Sequence, residues 1–80
     1  MRIFFTLRVA ADVDLEVYNV AGEPIVHLQQ ACAATVNEIE WKGLNEAGGK
    51  CASGVYLVRL SAVGRDKSTG TFWTTVVIVR

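Results

Sequence analysis

Apolar and polar residues alternate along most of this chain, with the period of two that is typical of half-buried β-strands. In the second such segment, the residues on one side are Val13, Leu15 and Val17, and those on the other are Asp14, Glu16 and Tyr18. Turn signals separate the segments, and no stretch has a sustained helical period. The pattern therefore predicts an all-β chain folded as an antiparallel β-sandwich. The predicted strands are about Arg2–Val9, Val13–Val20, Ile25–Gln29, Val36–Trp41, Gly54–Ala62 and Thr71–Val79.

The third strand is the least regular of these. Gly22 and Pro24 mark a tight turn before it, and Pro24 belongs in that turn or at the first strand position because it has no N–H to donate. Ile25, Val26 and Leu28 cannot all face one side of a sheet without a bulge, so the phase of this strand stays open. After it, the segment 29–34 has the propensity for a single helical turn, which would be too short to be stable alone.

The stretch from Trp41 to Leu60 joins the end of one strand to the next through a long connection. Glycines punctuate it at turn and strand-entry positions, where positive φ angles are common. Trp41 and Tyr56 are expected to bury their rings in one core and to pair their polar atoms, with ligand stacking as the alternative role. The predicted turn glycines are Gly22, Gly43, Gly48 and Gly54. The predicted core residues are Leu15, Val17, Trp41, Tyr56 and Leu60.

Composition limits the class of protein. The chain has 80 residues, of which 51% are hydrophobic and 20% charged, so it can build one small core and is not expected to be disordered. Its formal net charge is zero, which argues against nucleic acid or an acidic membrane surface as the main partner. No segment approaches the roughly 20 apolar residues that a membrane-spanning helix needs.

The amino-terminal segment has two readings. Its positive start and short apolar run faintly suggest a signal peptide, but Arg8 interrupts the run, and the alternation favours a strand. Met1 is then consistent with a start added to part of a longer chain. We expect residues 1–80 to form a single domain of a larger protein.

The chain contains two cysteines, Cys32 and Cys51, and no CxxC pair. A disulfide requires Cα atoms within about 7 Å. Strands that run up and down the sandwich would place these residues near opposite ends, which favours two free thiols, with Cys51 as a small buried hydrophobe. A disulfide between them stays open at this point.

Candidate chemistry is sparse. His27 is the single histidine, and no serine or cysteine can be paired with it from sequence. The pairs Asp12 with Asp14 and Glu38 with Glu40 share a strand face, where two carboxylates can bind a cation or flank a glycosidic bond. Such pairs are more often the solvated side of a sheet. The sequence therefore predicts no catalytic, cofactor or metal site and no enzyme activity.

The last two strands suggest a partner surface. A hairpin with Leu60 opposite Phe72 and Tyr56 opposite Val76 would sort their residues onto two faces. The face expected in the core carries Tyr56, Val58, Leu60, Phe72, Val76 and Ile78. The predicted interface on the other face comprises Val55, Leu57, Arg59, Trp73 and Val77. Arg59 would lie across from Trp73, in reach of a cation–π contact. An apolar group outside the core is typical of a protein interface, although scattered surface apolar residues are also common.

Three segments together carry a family resemblance. LEVYNVAG at Leu15–Gly22, WKGLNEAGG at Trp41–Gly49 and ASGVYLVRL at Ala52–Leu60 resemble the FlgD-type immunoglobulin-like domain. That family includes the Ig-like part of the flagellar hook-capping protein and C-terminal modules of secreted bacterial proteins, among them sorting domains like those of the type IX secretion system. The resemblance covers nearly the whole chain. It implies an immunoglobulin- or fibronectin-III-like sandwich of about six or seven strands.

The sequence also departs from that family. Lys42 stands where Asp usually follows the Trp, Asn45 occupies a position that is often Asp, and Cys51 precedes the A-S-G triplet. A positive charge at Lys42 disfavours any cation that relatives hold in this loop.

Three hypotheses for function follow, from different classes. The first is a non-catalytic C-terminal module used for docking, spacing or secretion sorting of a larger secreted or surface bacterial protein. The second is a structural assembly domain like that of the hook-capping protein, which would form homo-oligomers. The third is a carbohydrate-binding accessory module that uses Trp73 or Trp41 as a platform. The expected partners are other domains of the parent protein or the secretion machinery, and no cofactor is expected.

Overall fold

A computed structural model describes all residues from Met1 to Arg80 as an all-β fold of six antiparallel strands. The strands are β1 (Arg2–Thr6), β2 (Ala11–Asn19), β3 (Pro24–Cys32), β4 (Val36–Glu40), β5 (Gly54–Gly64) and β6 (Thr69–Ile78). One sheet has two strands in the order β1-β4, and the other has four in the order β3-β2-β5-β6. The predicted antiparallel β-sandwich is confirmed. No helix in it is long and apolar enough to cross a membrane.

The core forms where the two sheets face each other. Strand β2 lies in the middle of the four-stranded sheet, and Val13, Leu15 and Val17 point inward with exposures of 0–1%. Val58 and Leu60 of β5 lie directly beside them in register. Alternation along two neighbouring central strands thus supplies one continuous apolar floor, which the two-stranded sheet partly covers.

The first strand is shorter than the pattern predicted. It ends at Thr6, not Val9, because the chain crosses there from the two-stranded sheet to the four-stranded one. The Leu7 amide still donates to the Thr35 carbonyl at 3.0 Å, and three residues later the Ala10 carbonyl accepts from the Arg65 amide. Alternation continues through the crossing, so it cannot mark where a strand changes sheets.

The third strand is longer than predicted. It continues to Cys32 in register with β2, so the helical turn considered for residues 29–34 is wrong. Between Val17 and Tyr18 the register with β3 shifts, since Val17 pairs with Val26 and Tyr18 pairs with Pro24. Ile25 is therefore an extra residue opposite that step, which resolves the ambiguous phase as a bulge.

One end of the sandwich, called here the Trp41 end, is closed by two aromatic rings. Trp41 is 2% exposed, and its ring meets that of Tyr56 edge to face at 5.6 Å. The indole N–H donates to the Leu44 carbonyl at 2.9 Å, and the Tyr56 hydroxyl donates to the Ala52 carbonyl at 2.7 Å. Each ring therefore buries its apolar body and pairs its polar atom with the connection that follows β4.

The opposite end, called here the Phe72 end, is not closed. The predicted pairs Leu60 with Phe72 and Tyr56 with Val76 are both present. The expectation that Phe72 lines the core is wrong, because its exposure is 75% although it shares the inner face with Leu60. On that face of β6 burial increases from Phe72 to Ile78, which is 8% exposed. The two-stranded sheet covers β6 only near the Trp41 end.

The cysteines lie at these two ends. Cys32 pairs with Ala11 beside the last residue of β5, whereas Cys51 donates its amide to Gly43 at the Trp41 end. Both are buried free thiols that pack in the core.

Candidate interaction surface

The outer face of the four-stranded sheet, which points away from the core, carries the residues predicted to form an interface. Strand register aligns His27, Glu16, Arg59 and Trp73 across β3, β2, β5 and β6 in one row. Tyr18 and Leu57 lie opposite each other on the same face, in the next outward-facing pair beyond Glu16 and Arg59. The outer face thus gathers charged, aromatic and aliphatic side chains from four strands.

Arg59 is the centre of this row. Its guanidinium carbon lies 5.9 Å from the ring centroid of Trp73 and 6.0 Å from that of Tyr18. The two rings are themselves 6.0 Å apart and tilted by 36°. Glu16 forms an ion pair with an Arg59 amino group, and the remaining Nε–H of Arg59 is shielded from solvent without a partner. Arg59 therefore contacts both aromatic rings as well as a carboxylate, and one side of the exposed Trp73 ring has a neighbour.

Hydrogen bonding in this cluster shifts three pKa values. The Tyr18 hydroxyl donates to Glu16 Oε2 at 2.6 Å. That bond, followed by the bond from Arg59, lowers the pKa of Glu16 below its ordinary value. The same carboxylate raises the pKa of both Tyr18 and Arg59. Glu16 is consequently charged and Tyr18 neutral near pH 7.

A mainly apolar strip overlaps this cluster and extends from it along β5 and β6. The β5–β6 strip, as we call it, consists of Val55, Leu57, Arg59, Trp73 and Val77. Val55, Trp73 and Val77 are 45%, 57% and 58% exposed, while Leu57 and Arg59 are half-buried. Apolar side chains exposed this far and placed side by side on one sheet face form a surface suited to contact with another protein.

Sequence reasoning missed Glu16 and Tyr18. Both alternate outward along β2, which is visible in the pattern, but their position beside Arg59 depends on the pairing of β2 with β5. Glu16 and Arg59 are 43 residues apart in the sequence. A prediction of strand order would have been needed to find them.

The other half of the outer face is polar. Asp14 Oδ1 accepts from Gln29 at 2.8 Å and lies 2.9 Å from His27 Nε2. The bond from Gln29, then that with His27, lowers the pKa of Asp14. His27 thus pairs with a carboxylate, and no hydroxyl or thiol is hydrogen bonded to it.

The remaining acidic pair, Glu38 and Glu40, shares one arginine. Arg2 Nε lies 3.4 Å from Glu38 and 3.7 Å from Glu40, across the pairing of β1 with β4. Asp12 is exposed on β2. No group of three or more acidic, histidine or cysteine side chains is placed to hold a metal ion.

The connection after Trp41 is held by its own hydrogen bonds. Asn45 Oδ1 accepts from the amides of Ala47 and Gly49 at 3.0 and 2.8 Å. This oxygen is therefore used inside the loop. Lys42 is exposed. The four predicted turn glycines have positive φ angles, of 83°, 72°, 81° and 152° for Gly22, Gly43, Gly48 and Gly54.

Comparison with known proteins supports the fold. No protein-family model matches the chain. No curated protein sequence is significantly similar to it. Among solved structures, it is similar to the crystal structure of FlgD from P. aeruginosa, with a TM-score of 0.78 and 20% sequence identity. The match covers 95% of this chain and 60% of the FlgD chain. At this identity the likeness establishes a FlgD-like sandwich fold.

Proposed function

We propose that this chain is a non-catalytic immunoglobulin-like module that docks onto a neighbouring domain or a second copy through the β5–β6 strip. The observation that carries the proposal is the combination of exposed apolar side chains with a fixed aromatic anchor. Trp73 is 57% exposed, yet Arg59 and Tyr18 restrict its ring. A large side chain that is already ordered loses little entropy on binding, which is typical of interface hot spots.

The setting proposed for this module is a larger secreted or surface bacterial protein. The FlgD-like fold and the resemblance of three sequence segments to the FlgD-type immunoglobulin-like family support this setting. Secretion sorting is the finer form of the proposal, and assembly like that of the hook-capping protein is the alternative. If the chain self-associates, the result favours a structural assembly domain. If it docks onto an adjacent domain of the parent polypeptide, the result favours a docking module.

A carbohydrate-binding role is the weaker candidate. Trp41 is 2% exposed, so it offers no platform for a sugar. Trp73 is the one indole with an exposed ring, and it already contacts Arg59 and Tyr18. Saturable binding of oligosaccharides that Trp73→Ser abolishes would replace the docking proposal.

The test is sedimentation velocity of the isolated chain over a range of concentrations, together with the longer parent polypeptide. We expect Trp73→Ser to weaken self-association or the docking of this domain onto its neighbour, because the anchor of the strip is lost. The thermal unfolding midpoint should change little, since Trp73 lies outside the core.

Phe72→Ser is the matched control, which should leave association through the β5–β6 strip as in the wild type. Phe72 precedes Trp73, is also an exposed aromatic residue, and points to the opposite face of β6. Equal association of the wild type and Trp73→Ser, in both the isolated chain and the parent, would contradict the docking role of the strip.

A further inference from the structure

The two long sides of the sandwich end differently. On the side formed by β3 and β4, other groups cover the strand edges. The Glu46 amide donates to the Ile25 carbonyl at 3.1 Å, and Glu46 Oε1 accepts from the His27 amide at 2.8 Å. On β4, the Glu38 carbonyl accepts from the Gln30 side chain at 3.3 Å. These contacts protect the edges from pairing with another chain.

The other side, formed by β1 and β6, has no such cover. Strand β1 has β4 as its only neighbour in the sheet. Met1 exchanges backbone hydrogen bonds of 2.8 Å with Trp41, and the Leu7 amide donates to Thr35. In an antiparallel ladder these bonds alternate, so the backbone groups of Arg2, Phe4 and Thr6 point to the free edge.

An apolar cleft adjoins this free edge. It has a volume of about 770 Å³ and lies between β1 and β6, with β5 as its floor. Its floor contains Val58 and Leu60, and the exposed residues Phe4 and Phe72 are also part of its lining. None of the lining residues is charged. The cleft is the uncovered part of the core at the Phe72 end.

We propose that this cleft binds an extended strand donated by another protein, which pairs with the free edge of β1 and becomes the third strand of the two-stranded sheet. The row of unpaired N–H and C=O groups on β1 requires a polypeptide backbone as its partner. The uncharged floor requires apolar, uncharged side chains at every second position of that backbone. Such a strand would cover Leu60 and Phe72 as the new edge strand of a larger sandwich.

Met1 and Arg80 lie away from the cleft. The Met1 ammonium group is bound to the Trp41 carbonyl, and the Arg80 amide donates to Ser53 Oγ at 2.9 Å. The Arg80 side chain also donates to the carbonyls of Cys51 and Gly43. Both residues are thus held at the Trp41 end, away from Phe72.

A second copy of the chain fits less well than a single strand. The exposed inner face of β6 shows that β6 projects beyond β1. If two copies paired their β1 edges, the projecting β6 strands would meet beneath the seam. A lone strand occupies only the roughly 4.8 Å spacing beside β1 and avoids this collision.

The probe is a synthetic peptide of about nine residues in which valine and threonine alternate between terminal lysines, long enough at about 3.3 Å per residue to follow β1. Amide hydrogen exchange of the intact chain is measured by NMR with and without peptide, at up to about 1 mM. We expect the Phe4 and Thr6 amides to exchange at least roughly tenfold more slowly with peptide bound. The same peptide N-methylated at alternate residues should give no protection, because it lacks the edge donors.

Two variants sharpen the test. Phe72→Asp places a charge at the exposed margin of the cleft and should weaken peptide binding by about tenfold or more. Phe4→Pro removes an N–H that points to the free edge and should likewise abolish binding. Trp73→Ser, on the opposite face, should bind the peptide as the wild type does, which separates this inference from the docking role of the β5–β6 strip.

Three outcomes would overturn the inference. One is unchanged exchange at Phe4 and Thr6 at the highest peptide concentration. Another is equal binding of the N-methylated peptide, which would make the cleft a simple apolar pocket. The third is a peptide-independent dimer that Phe72→Asp dissociates, because the occupant would then be a second copy of this chain.

Discussion

At the scale of single residues, Trp41 and Tyr56 show how a large amphipathic ring serves a small core. Each is almost fully buried, and each donates its polar hydrogen to a backbone carbonyl of the connection between β4 and β5. The rings fill the Trp41 end, while their hydrogen bonds hold the connection between β4 and β5 against it. The two functions of each side chain can be separated by substitution.

Tyr56→Phe should lower the free energy of unfolding by about 1 kcal/mol, because it removes the bond to Ala52 and keeps the ring. Tyr56→Ala also removes the ring and should cost about 3–5 kcal/mol. A chain of this size has a total stability of only about 4–12 kcal/mol, so the second variant should be largely or partly unfolded. Urea denaturation measures both. Equal losses for the two variants would show that ring packing contributes nothing.

At the scale of elements, the connection from Gly43 to Gly49 is a compact loop built on a single side chain. The side-chain oxygen of Asn45 accepts hydrogen bonds from two backbone amides of the loop. The backbone amide of Asn45 donates to the Gly49 carbonyl at 2.9 Å. Gly48 completes the turn with a φ of 81°. The loop therefore depends on a backbone conformation that other residues adopt only under strain.

Gly48→Ala tests that dependence. A Cβ at Gly48 would meet no atom within 4 Å, so the only cost is backbone strain of about 1–2 kcal/mol. Gly70→Ala in β6 is the control, since its Cβ would also enter open space and its φ is not positive. Thermal unfolding should show a lower midpoint for Gly48→Ala and no loss for Gly70→Ala. Similar losses in both would contradict the strain argument.

At the scale of the whole molecule, a chain with zero formal net charge keeps several carboxylates in hydrogen-bonded positions. Glu16 is bound by Tyr18 and Arg59, Asp14 by Gln29 and His27, and Asp66 by Ser68. The pKa of each of the three carboxyl groups is lowered in the folded chain. The unfolded chain therefore binds protons more readily than the folded one at acidic pH.

We expect the free energy of unfolding to be constant from neutral pH down to about pH 5, and then to fall. The loss begins near the ordinary carboxyl pKa values of 4.5 for Glu and 3.8 for Asp and continues through the lowered folded values. Glu16→Gln should make this decline shallower, and Tyr18→Phe should do so in part. Chemical denaturation at several pH values, followed by tryptophan fluorescence, measures the slopes. An identical pH profile for Glu16→Gln would contradict a lowered pKa at Glu16.

Much of the fold and part of the candidate surface could be predicted from local pattern. The pairing of Leu60 with Phe72 followed from a hairpin with a short loop, so Arg59 and Trp73 were placed side by side correctly. Glu16 and Tyr18 were missed because β2 pairs with β5 across a long sequence separation, 43 residues between Glu16 and Arg59, which a local pattern does not specify. Alternation states which face a residue takes, and long-range strand order states what lies beside it.

The sequence by itself determined the all-β class, the number of strands, the two faces of every strand except β3, and the turn glycines, because these depend on the period of apolar residues and on backbone conformations open to glycine. The tertiary structure alone decided which inner-face residues are covered. Phe72 and Ile78 lie on the same face of β6, yet one is 75% exposed and the other 8%. The difference arises because the two-stranded sheet covers β6 only near the Trp41 end, and no local pattern records how far a distant layer extends along a strand.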